Sequence, residues 1–327
     1  MDRKLDELLF ALTQKPILAV SGEKLAMDLG VSHSTLMRWV DKLRKAGIEI
    51  RGELFTGYRL VRLPDVLLPQ LIKPRLHTRL IGRNLYHFYD VDSTNMFASR
   101  LVAHGRKVHE GSAILAETQS AGRGRLGRSW HSEREAGIYA SLILFPKIPP
   151  SLAPLFTLET AIALHNAVER YTGMDIDIKW PNDLLVGRKK FCGILSEIQA
   201  EVDLVKTMIV GVGINVNHEK MPEEIAGRAT SLRIASGRIQ SRLEILLEFF
   251  EEFENIYMDF ERKGPRGIVE QWMRFSSFAN GRKIEIHDGV RKIAGVTRGL
   301  NPLGALRVEQ KGGQMEEVYS GDVVAWE

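Results

Sequence analysis

The chain has 327 residues, of which 44% are apolar and 26% are charged, and these are the fractions of an average folded protein. Its length predicts two or three domains, and no uncharged apolar run approaches the roughly 20 residues that span a bilayer. The mixed acidic and basic start has no secretory signal, and Cys192 is the single cysteine, so we expect a cytoplasmic protein without disulfides. No Cys/His cluster has zinc-ligand spacing, and the sequence therefore predicts no protein-held metal.

Positive charge is concentrated at the start of the chain. Residues 1–62 contain eleven Lys and Arg against eight Asp and Glu, so +3 of the net +4 lies there. Such asymmetry predicts a segment that binds a polyanion. A solvated helix face has the same composition, and charge alone leaves that alternative open.

Three helices are predicted in this first segment. The first is marked by apolar residues at helical spacing, namely Leu5, Leu8, Leu9 and Leu12. A short second helix over 23–29 ends at Gly30, because glycine tolerates the positive φ of a tight turn. Ser32 then caps a third helix, whose apolar residues face a core: Leu36, Val40 and Leu43.

The third helix and the segment after it carry the predicted DNA contacts. Residues 48–50 and 55–60 predict a two-stranded wing, and the pattern Leu-Ala-x-x-Leu-Gly-Val-Ser over 25–32 resembles winged-helix regulators. We therefore predict a winged helix-turn-helix DNA-binding domain over 1–63, although a three-helix cap that never meets DNA would show the same pattern. The candidate DNA-contacting residues are Ser32, His33, Ser34, Thr35, Met37, Arg38, Arg44, Arg51 and Arg59.

The rest of the chain divides into three parts. Residues 64–75 contain three prolines, two of which, Pro64 and Pro74, flank a short apolar run, and the segment predicts a linker. Over 76–270 strand patterns outnumber crossover helices, which favours an α+β domain with a mixed sheet. Over 271–327 short strands alternate with Gly, Asn and Asp turns, which predicts a small β-barrel.

A glycine- and arginine-rich stretch dominates the central part, with the sequence Gly-Arg-Gly-Arg-Leu-Gly-Arg-Ser-Trp over 122–130. It satisfies the expression G-x-G-x-x-G, but no apolar helical pattern follows, so we do not predict a dinucleotide fingerprint. Glycine lets a backbone approach a ligand, and arginine pairs with phosphate oxygens. The stretch therefore predicts a nucleotide-phosphate loop, and a flexible loop that binds RNA non-specifically is the alternative.

A second group of polar residues surrounds two predicted strands. Lys-Trp-Pro-Asn-Asp occupies 179–183, and a strand over 190–197 begins with Lys190. Alternation predicts that Lys190, Cys192 and Ile194 share one face. Lys190 is aimed at an anion or lies at a sheet edge, and Asp183 orients a lysine, holds Mg²⁺ or caps a turn.

Two weaker signals complete the set. The residues Asp-Ser-Thr-Asn over 92–95 offer hydroxyls and an amide to a polar group, or begin a helix. The glycines in Gly-Val-Gly-Ile-Asn over 211–215 would admit a flat ring whose edge an amide could contact, and a β-bulge is the alternative.

Together these motifs resemble the biotin protein ligases, in particular the bifunctional kind that also represses biotin operons. The resemblance extends through the whole chain, and it depends most on the 122–130 loop, on 179–183 and on Lys190-Phe191-Cys192-Gly193. It implies a class II synthetase-like catalytic domain and an SH3-like carboxyl-terminal barrel. It also implies formation of biotinyl-5′-AMP from biotin and MgATP, and then transfer of biotin to a lysine of a biotin carboxyl carrier protein.

The resemblance also implies roles for individual residues. The implied catalytic residues are Lys190, Arg123, Arg125 and Asp183. The implied biotin site comprises Ser93, Thr94, Asn95, Gln119, Arg123, Gly124, Arg125, Lys190 and Gly193. The implied ATP site comprises Arg123, Arg125, Arg128, Trp130, Asn182, Asn215 and Arg298. In this family the adenylate is also the corepressor, which implies a homodimer on operator DNA.

Two other functions compete with this one. A transcription regulator that only senses biotin would have lost the loop arginines or Lys190, and this chain retains them. A ligase for lipoate or a fatty acid would differ in the pocket that holds the ring. Exchange of labelled pyrophosphate into ATP distinguishes the three.

Overall fold

The computed structural model describes residues 2–14, 18–45, 48–61, 65–104, 107–288 and 291–327. Its first unit contains three helices and one hairpin. These elements are α1 (Asp2–Thr13), α2 (Gly22–Leu29), α3 (His33–Lys45), β1 (Ile50–Glu53) and β2 (Gly57–Leu60). Within the described part of the chain no helix is both long and apolar enough to cross a membrane.

Local sequence explains the turn between α2 and α3. Gly30 adopts φ 63° and ends α2, and its N–H donates to carbonyls of the last turn. Ser32 Oγ accepts a hydrogen bond from the Thr35 N–H at 3.3 Å and so caps α3. Both features agree with the prediction from spacing. Arg44, one of the predicted DNA contacts, uses its guanidinium within the chain by donating to the carbonyls of Ile50 and Gly52.

The segment predicted as a linker packs tightly over its described residues, 65–75. It contains α4 (Pro69–Ile72) and a 3₁₀ turn (Lys73–Arg75). Val66 and Leu68 join the core of the first unit, whereas Leu67 and Ile72 join the central core. The predicted boundary at 63 and 64 lies outside the described residues. The proline-containing segment therefore packs against both units and is not an extended linker between them.

The central unit is built on a seven-stranded mixed sheet, as the α+β prediction requires. The strand order is β3-β4-β5-β9-β8-β7-β6, in which β3 and β4 are parallel and every other neighbouring pair is antiparallel. The strands are β3 (Leu85–Phe88), β4 (Ser112–Ala116), β5 (Gly137–Leu144), β6 (Ile176–Lys179), β7 (Asp183–Val186), β8 (Lys189–Ala200) and β9 (Val205–Asn215).

Helices cover this sheet. The long helices α6 and α9 pack together and belong to the main core, whereas α5 packs on β4, β5 and β9 through a separate apolar cluster. The helices of this part are α5 (Thr94–Ala103), α6 (Pro154–Thr172), α7 (Glu223–Ala226), α8 (Leu232–Ser236), α9 (Arg242–Lys263) and α10 (Arg266–Phe275). Both faces of the sheet are therefore apolar, which is why β5 is buried along its whole length.

The carboxyl-terminal strands form one five-stranded antiparallel sheet in the order β13-β12-β11-β10-β14. Its strands are β10 (Asn280–His287), β11 (Lys292–Leu300), β12 (Leu306–Gln310), β13 (Met315–Val318) and β14 (Asp322–Trp326). Its apolar residues join the main core of the central unit, and Trp180 Nε1 donates to the Gly304 carbonyl at 3.2 Å. This docking places the start of β14 beside the central sheet.

Candidate active site

A cavity of about 710 Å³, its open mouth included, lies over strands β8 and β9. The predicted residues that line it are Ser93, Thr94, Asn95, Gln119, Arg123, Gly124, Arg125, Arg128, Trp130, Asn182, Asp183, Lys190 and Gly193. Lining residues outside the predicted set are Ser129, Ile194, Leu195, Gly211, Val212, Gly213 and Asp322. Residues scattered through the sequence thus meet in one place.

A register shift in β8 aims Lys190 into this cavity. Leu184 pairs with Cys192 but Leu185 pairs with Lys190, so Phe191 is an extra residue in the strand. Because a bulge of one residue reverses the alternation, Lys190 shares a face with Gly193, and the predicted grouping of Lys190 with Cys192 is wrong. Lys190 Nζ then lies 2.6 Å from Asp183 Oδ1 and forms an ion pair in the cavity wall.

The glycine- and arginine-rich stretch folds as a tight loop. The Gly124 N–H donates to the Arg128 carbonyl at 2.7 Å, and Leu126 lies in the left-handed region at φ 55°. A single 3₁₀ turn (Arg125–Gly127) is the helical structure within it. A dinucleotide fingerprint needs a helix that opens at the glycines, and this loop has none, as the sequence predicts.

The loop arginines are held by a carboxylate from the carboxyl-terminal sheet. Arg125 Nη1 lies 3.1 Å from Asp322 Oδ1 and also donates to Asn182 Oδ1 at 3.2 Å. Arg128 pairs with the other oxygen of Asp322. No motif in the sequence marks Asp322, which follows Ser320 and Gly321. Asp322 therefore links the third unit to the loop and keeps two guanidinium groups at the cavity.

Trp130, at the end of the loop, lies flat over two strands. A Cβ added to Gly213 would come within 2.4 Å of the Trp130 ring, and one added to Gly193 would come within 2.8 Å. Lys190 Nζ lies 5.3 Å from the centre of the same ring, within the range of a cation–π contact. The flat ring that the 211–215 glycines admit is thus the indole of Trp130.

Ser93, Thr94 and Gln119 form a polar wall of the cavity. Gln119 Oε1 accepts hydrogen bonds from the N–H of Thr94 at 2.9 Å and from its hydroxyl at 3.2 Å. Ser93 is at the amino-terminal cap of α5, but its side chain makes no capping hydrogen bond. Serine is common at the start of a helix because its hydroxyl usually caps the first turn. The Ser93 hydroxyl does not do so and lies buried in the wall of the cavity.

Asn95 is held by two residues that sequence reasoning missed. Its Nδ2 donates to Glu197 Oε2 at 2.7 Å, and its Oδ1 accepts from Ser141 Oγ at 2.6 Å. Ser141 and Glu197 lie on β5 and β8, at positions that alternation alone treats as ordinary strand residues. Asn95 is therefore anchored to the sheet and fixes the start of α5.

Two predicted nucleotide-binding residues do not line the cavity. Asn215 is buried, its Nδ2 donates to the Thr230 carbonyl at 3.1 Å, and its Oδ1 has no hydrogen-bond partner among the described residues. Arg298 lies on β11 and pairs with Glu309 at 2.6 Å, outside the cavity wall. Asn215 follows the lining residue Gly213 by two positions in the sequence. The structure gives no support to the prediction for Arg298.

A buried ionic network connects the first unit to this region. His87 lies 3.0 Å from Asp6 on α1 and 3.1 Å from Glu117, and Glu117 also pairs with Arg242 at 2.8 Å. Burial alone would lower the pKa of His87, but its two carboxylate partners raise it to about 9. Burial would raise the pKa of Glu117, but Arg242 and His87 lower it to about 2. His87 and Glu117 are thus both charged at neutral pH, and Glu117 lies two residues from Gln119.

Comparison with known proteins agrees with this geometry. The sequence profile of the biotin/lipoate A/B protein ligase family matches residues 88–215, and that of the biotin protein ligase C-terminal domain matches 281–326. The first of these ranges contains nearly the whole cavity wall. Fold and site therefore define an acyl ligase of the biotin and lipoate class.

Relatives that match most of the chain identify the family within this class. The bifunctional ligase/repressor BirA of Bacillus spizizenii is 35% identical over 93% of both chains, and BirA of Escherichia coli is 28% identical over 89% of this chain and 88% of its own. A biotin protein ligase from Aquifex aeolicus, solved in complex with biotin and ATP, superposes with a TM-score of 0.65 at 32% identity, covering 75% of this chain and 99% of that one. This chain belongs to the biotin protein ligase family, and its similarity to the BirA proteins includes the amino-terminal unit.

Proposed function

We propose that the chain is an ATP-dependent biotin protein ligase that forms biotinyl-5′-AMP and transfers biotin to a lysine of a biotin carboxyl carrier protein. The observation that carries this proposal is the gathering of Lys190, Arg125 and Arg128 around one cavity. Relatives named biotin–[acetyl-CoA-carboxylase] ligase support the acceptor class. In this proposal the central unit is the class II synthetase-like domain, and the carboxyl-terminal sheet is the SH3-like barrel.

In the first step a biotin carboxylate oxygen attacks the α-phosphorus of ATP, and the bond to pyrophosphate breaks. Negative charge increases around phosphorus, so preorganised cations at the cavity lower the barrier. Lys190 and Arg125 are the groups best placed to do this, and Arg123 joins them from the same loop. Arg125 and Arg128 would exchange their contacts with Asp322 for phosphate oxygens, which pair with guanidinium in the same forked geometry.

The substrates divide the cavity between them. In this proposal the polar wall of Ser93, Thr94 and Gln119 holds the biotin rings, Asn95 beside it fixes the start of α5, and Gly124 and Gly193 allow close approach. Trp130 and Asn182 border the nucleotide, and the unpartnered Oδ1 of Asn215 would accept from the adenine amino group. An orphaned buried acceptor is costly without a ligand, which favours this role for Asn215. Arg298 would reach the nucleotide only after leaving Glu309.

In the second step the amine of the carrier lysine attacks the acyl carbon of the adenylate, and AMP leaves. The attacking amine must be unprotonated, and Asp183 is the carboxylate in the cavity wall nearest to Lys190. Asp183 would therefore position the incoming amine and accept its proton. A closed loop around the adenylate excludes water, which would otherwise hydrolyse the mixed anhydride.

Mg²⁺ is best assigned to the nucleotide. The cavity wall contains two carboxylates in the described part of the chain, Asp183 and Asp322, and each already has a cationic partner. Mg²⁺ usually binds through substrate phosphates and a few waters. This donor set does not form a dedicated Mg²⁺ site, so in our proposal the ion arrives with ATP.

The first unit is proposed as a winged helix-turn-helix that represses biotin synthesis genes. Met37 on α3 is 48% exposed to solvent, and Phe55 at the tip of the hairpin is 89% exposed. Arg51 and Arg59 are directly opposite each other in the hairpin, where like charges repel unless an anion lies between them. A DNA phosphate would supply that anion, with operator DNA gripped by a homodimer.

The adenylate and the operator would strengthen each other's binding by one coupling energy, commonly ~1–3 kcal/mol. The path proposed for this coupling is the ionic network of Glu117, His87 and Asp6 on α1, which reaches the cavity through the two-residue step from Glu117 to Gln119. Biotinyl-5′-AMP would then act as corepressor. An operator affinity that does not change with biotin and ATP would contradict this part of the proposal.

Pyrophosphate exchange tests the ligase. Labelled pyrophosphate should enter ATP rapidly with biotin and slowly with lipoate, because in this proposal the polar wall binds the ureido ring. No exchange with any acid would favour a regulator that only senses biotin, and preference for lipoate would favour a lipoate ligase.

Operator binding tests the repressor. Changing Arg51 and Arg59 together to Gln should weaken DNA binding. The slope of the logarithm of the binding constant against the logarithm of the salt concentration should decrease by the amount expected for about two phosphate contacts. Lys147→Gln, an exposed change in the central unit, is the matched control and should leave both quantities unchanged.

A further inference from the structure

A cluster of metal-ligating side chains lies outside the cavity described above. His131, Glu133 and His218 each offer one ligand atom, and the three atoms lie within 4.8 Å of one another. His131 Nε2 is 4.0 Å from Glu133 Oε2. The sequence predicts no such group, because His131 and His218 are far apart along the chain.

His218 has a nitrogen available for a ligand. Its side chain is fully buried, its Nε2 lies 3.5 Å from the Tyr139 hydroxyl, and its Nδ1 has no hydrogen-bond partner among the described residues. A buried ring nitrogen of this kind is rare without a function.

The backbone holds the two segments together. The N–H groups of Val216 and Asn217 both donate to the Ala136 carbonyl, and the His218 carbonyl accepts from Ser231 Oγ at 2.8 Å. Arg242 is the nearby buried cation, and its charge is balanced by ion pairs with Glu117 and Asp65. The cluster is therefore preorganised on the His218 side and carries no unbalanced buried cation.

We propose that His131, Glu133 and His218 bind a divalent transition metal of the Zn²⁺ class. Two imidazoles and one carboxylate are a common three-ligand set for Zn²⁺, with water in the fourth position. Bonds of ~2.0–2.1 Å in a tetrahedron place ligand atoms ~3.3–3.4 Å apart, so the ligands must close by no more than ~1.5 Å. His131 and Glu133 are exposed and can move by that amount.

The position of the site gives it a consequence for the proposed ligase. His131 directly follows Trp130 at the end of the glycine- and arginine-rich loop, and His218 lies three residues after Asn215. A bound metal would therefore join the end of that loop to the end of β9 and restrict the motion of both. This consequence depends on the proposed function, but the binding of metal does not.

Metal binding is tested on the full-length, untagged chain without biotin or ATP. Co²⁺ should bind one equivalent, produce the visible absorption of a low-coordinate ion, and be displaced by Zn²⁺. His131→Ala and Glu133→Ala should each weaken the affinity about tenfold or more, since even outer-shell changes cost that much. His77→Ala, which removes another exposed histidine, should bind as the wild type does.

Equal Co²⁺ affinity in His131→Ala and in the wild type would overturn the site. Amide hydrogen exchange tests the link between the segments: Zn²⁺ should slow exchange over 130–133 and 216–218 in the wild type and not in His131→Ala. Unchanged exchange in the wild type would overturn the link. Pyrophosphate exchange fails or succeeds independently of both results, so the two proposals are distinguishable.

Discussion

Two adjacent lysines offer a matched test of the proposed chemistry. Lys190 Nζ lies in the cavity wall, 2.6 Å from Asp183. Lys189 Nζ donates to the Ala226 carbonyl at 3.0 Å and is exposed outside the cavity. Changing each to Met removes one ammonium group and keeps most of the side-chain volume. We expect Lys190→Met to lose adenylation and Lys189→Met to keep it.

The size of the loss follows from the electrostatics of the site. Two unit charges about 4 Å apart interact by ~4 kcal/mol at an effective dielectric constant of ~20. Asp183 neutralises part of the Lys190 charge, and the loop arginines share the phosphate, so the loss should be somewhat below that figure. Removing one preorganised donor from a transition-state site typically costs ~2.7–4 kcal/mol, or about 10²–10³ in kcat.

The assay is biotin-dependent exchange of pyrophosphate into ATP, with circular dichroism to verify that each variant is folded. Lys190→Met should be about 10²–10³ slower in kcat, and Lys189→Met should lie within a few fold of the wild type. If Lys190→Met retained more than a third of the wild-type rate, Lys190 would not stabilise the reacting phosphate. Equal losses in both variants would point to a structural effect on β8 instead.

Three further predictions concern the surrounding structure. Arg242→Met should lower the free energy of unfolding in urea by about 3–5 kcal/mol, because the fully buried Glu117 carboxylate loses its main partner; a loss below ~1 kcal/mol would contradict this. The raised pKa of His87 adds about 3 kcal/mol to the free energy of unfolding. This contribution is complete below pH 6.5, the ordinary pKa of histidine, and is lost as the pH rises through about 9. Urea unfolding of the wild type and of His87→Gln over this pH range checks the prediction, because the variant should not show the decrease in stability. Gly213→Ala should displace Trp130 and raise KM for biotin and ATP about tenfold, and an unchanged KM would mean that the indole does not border the substrates.

Local sequence determined a large part of this protein. The order of α2, the Gly30 turn and α3 follows from apolar spacing, a glycine and a serine cap, because each acts within a few residues. The loop over 122–130 was recognisable for the same reason, since glycine and arginine limit what a short segment can do. Most of the cavity wall could therefore be predicted from these motifs together with the family resemblance that they carry.

Tertiary structure decided how those motifs meet. Alternation placed Lys190 beside Cys192, but pairing between β7 and β8 inserts Phe191 and turns Lys190 toward Gly193. Asp322 reaches Arg125 across 197 positions of the chain, and no periodic pattern contains such a contact. Periodicity predicts which face of a single segment is buried, without regard to what packs on it. A strand register and the partner in an ion pair depend on the particular distant segment that packs there. The chemistry-bearing residues were therefore visible in the sequence, and their alignment around one cavity came from the packing of distant strands.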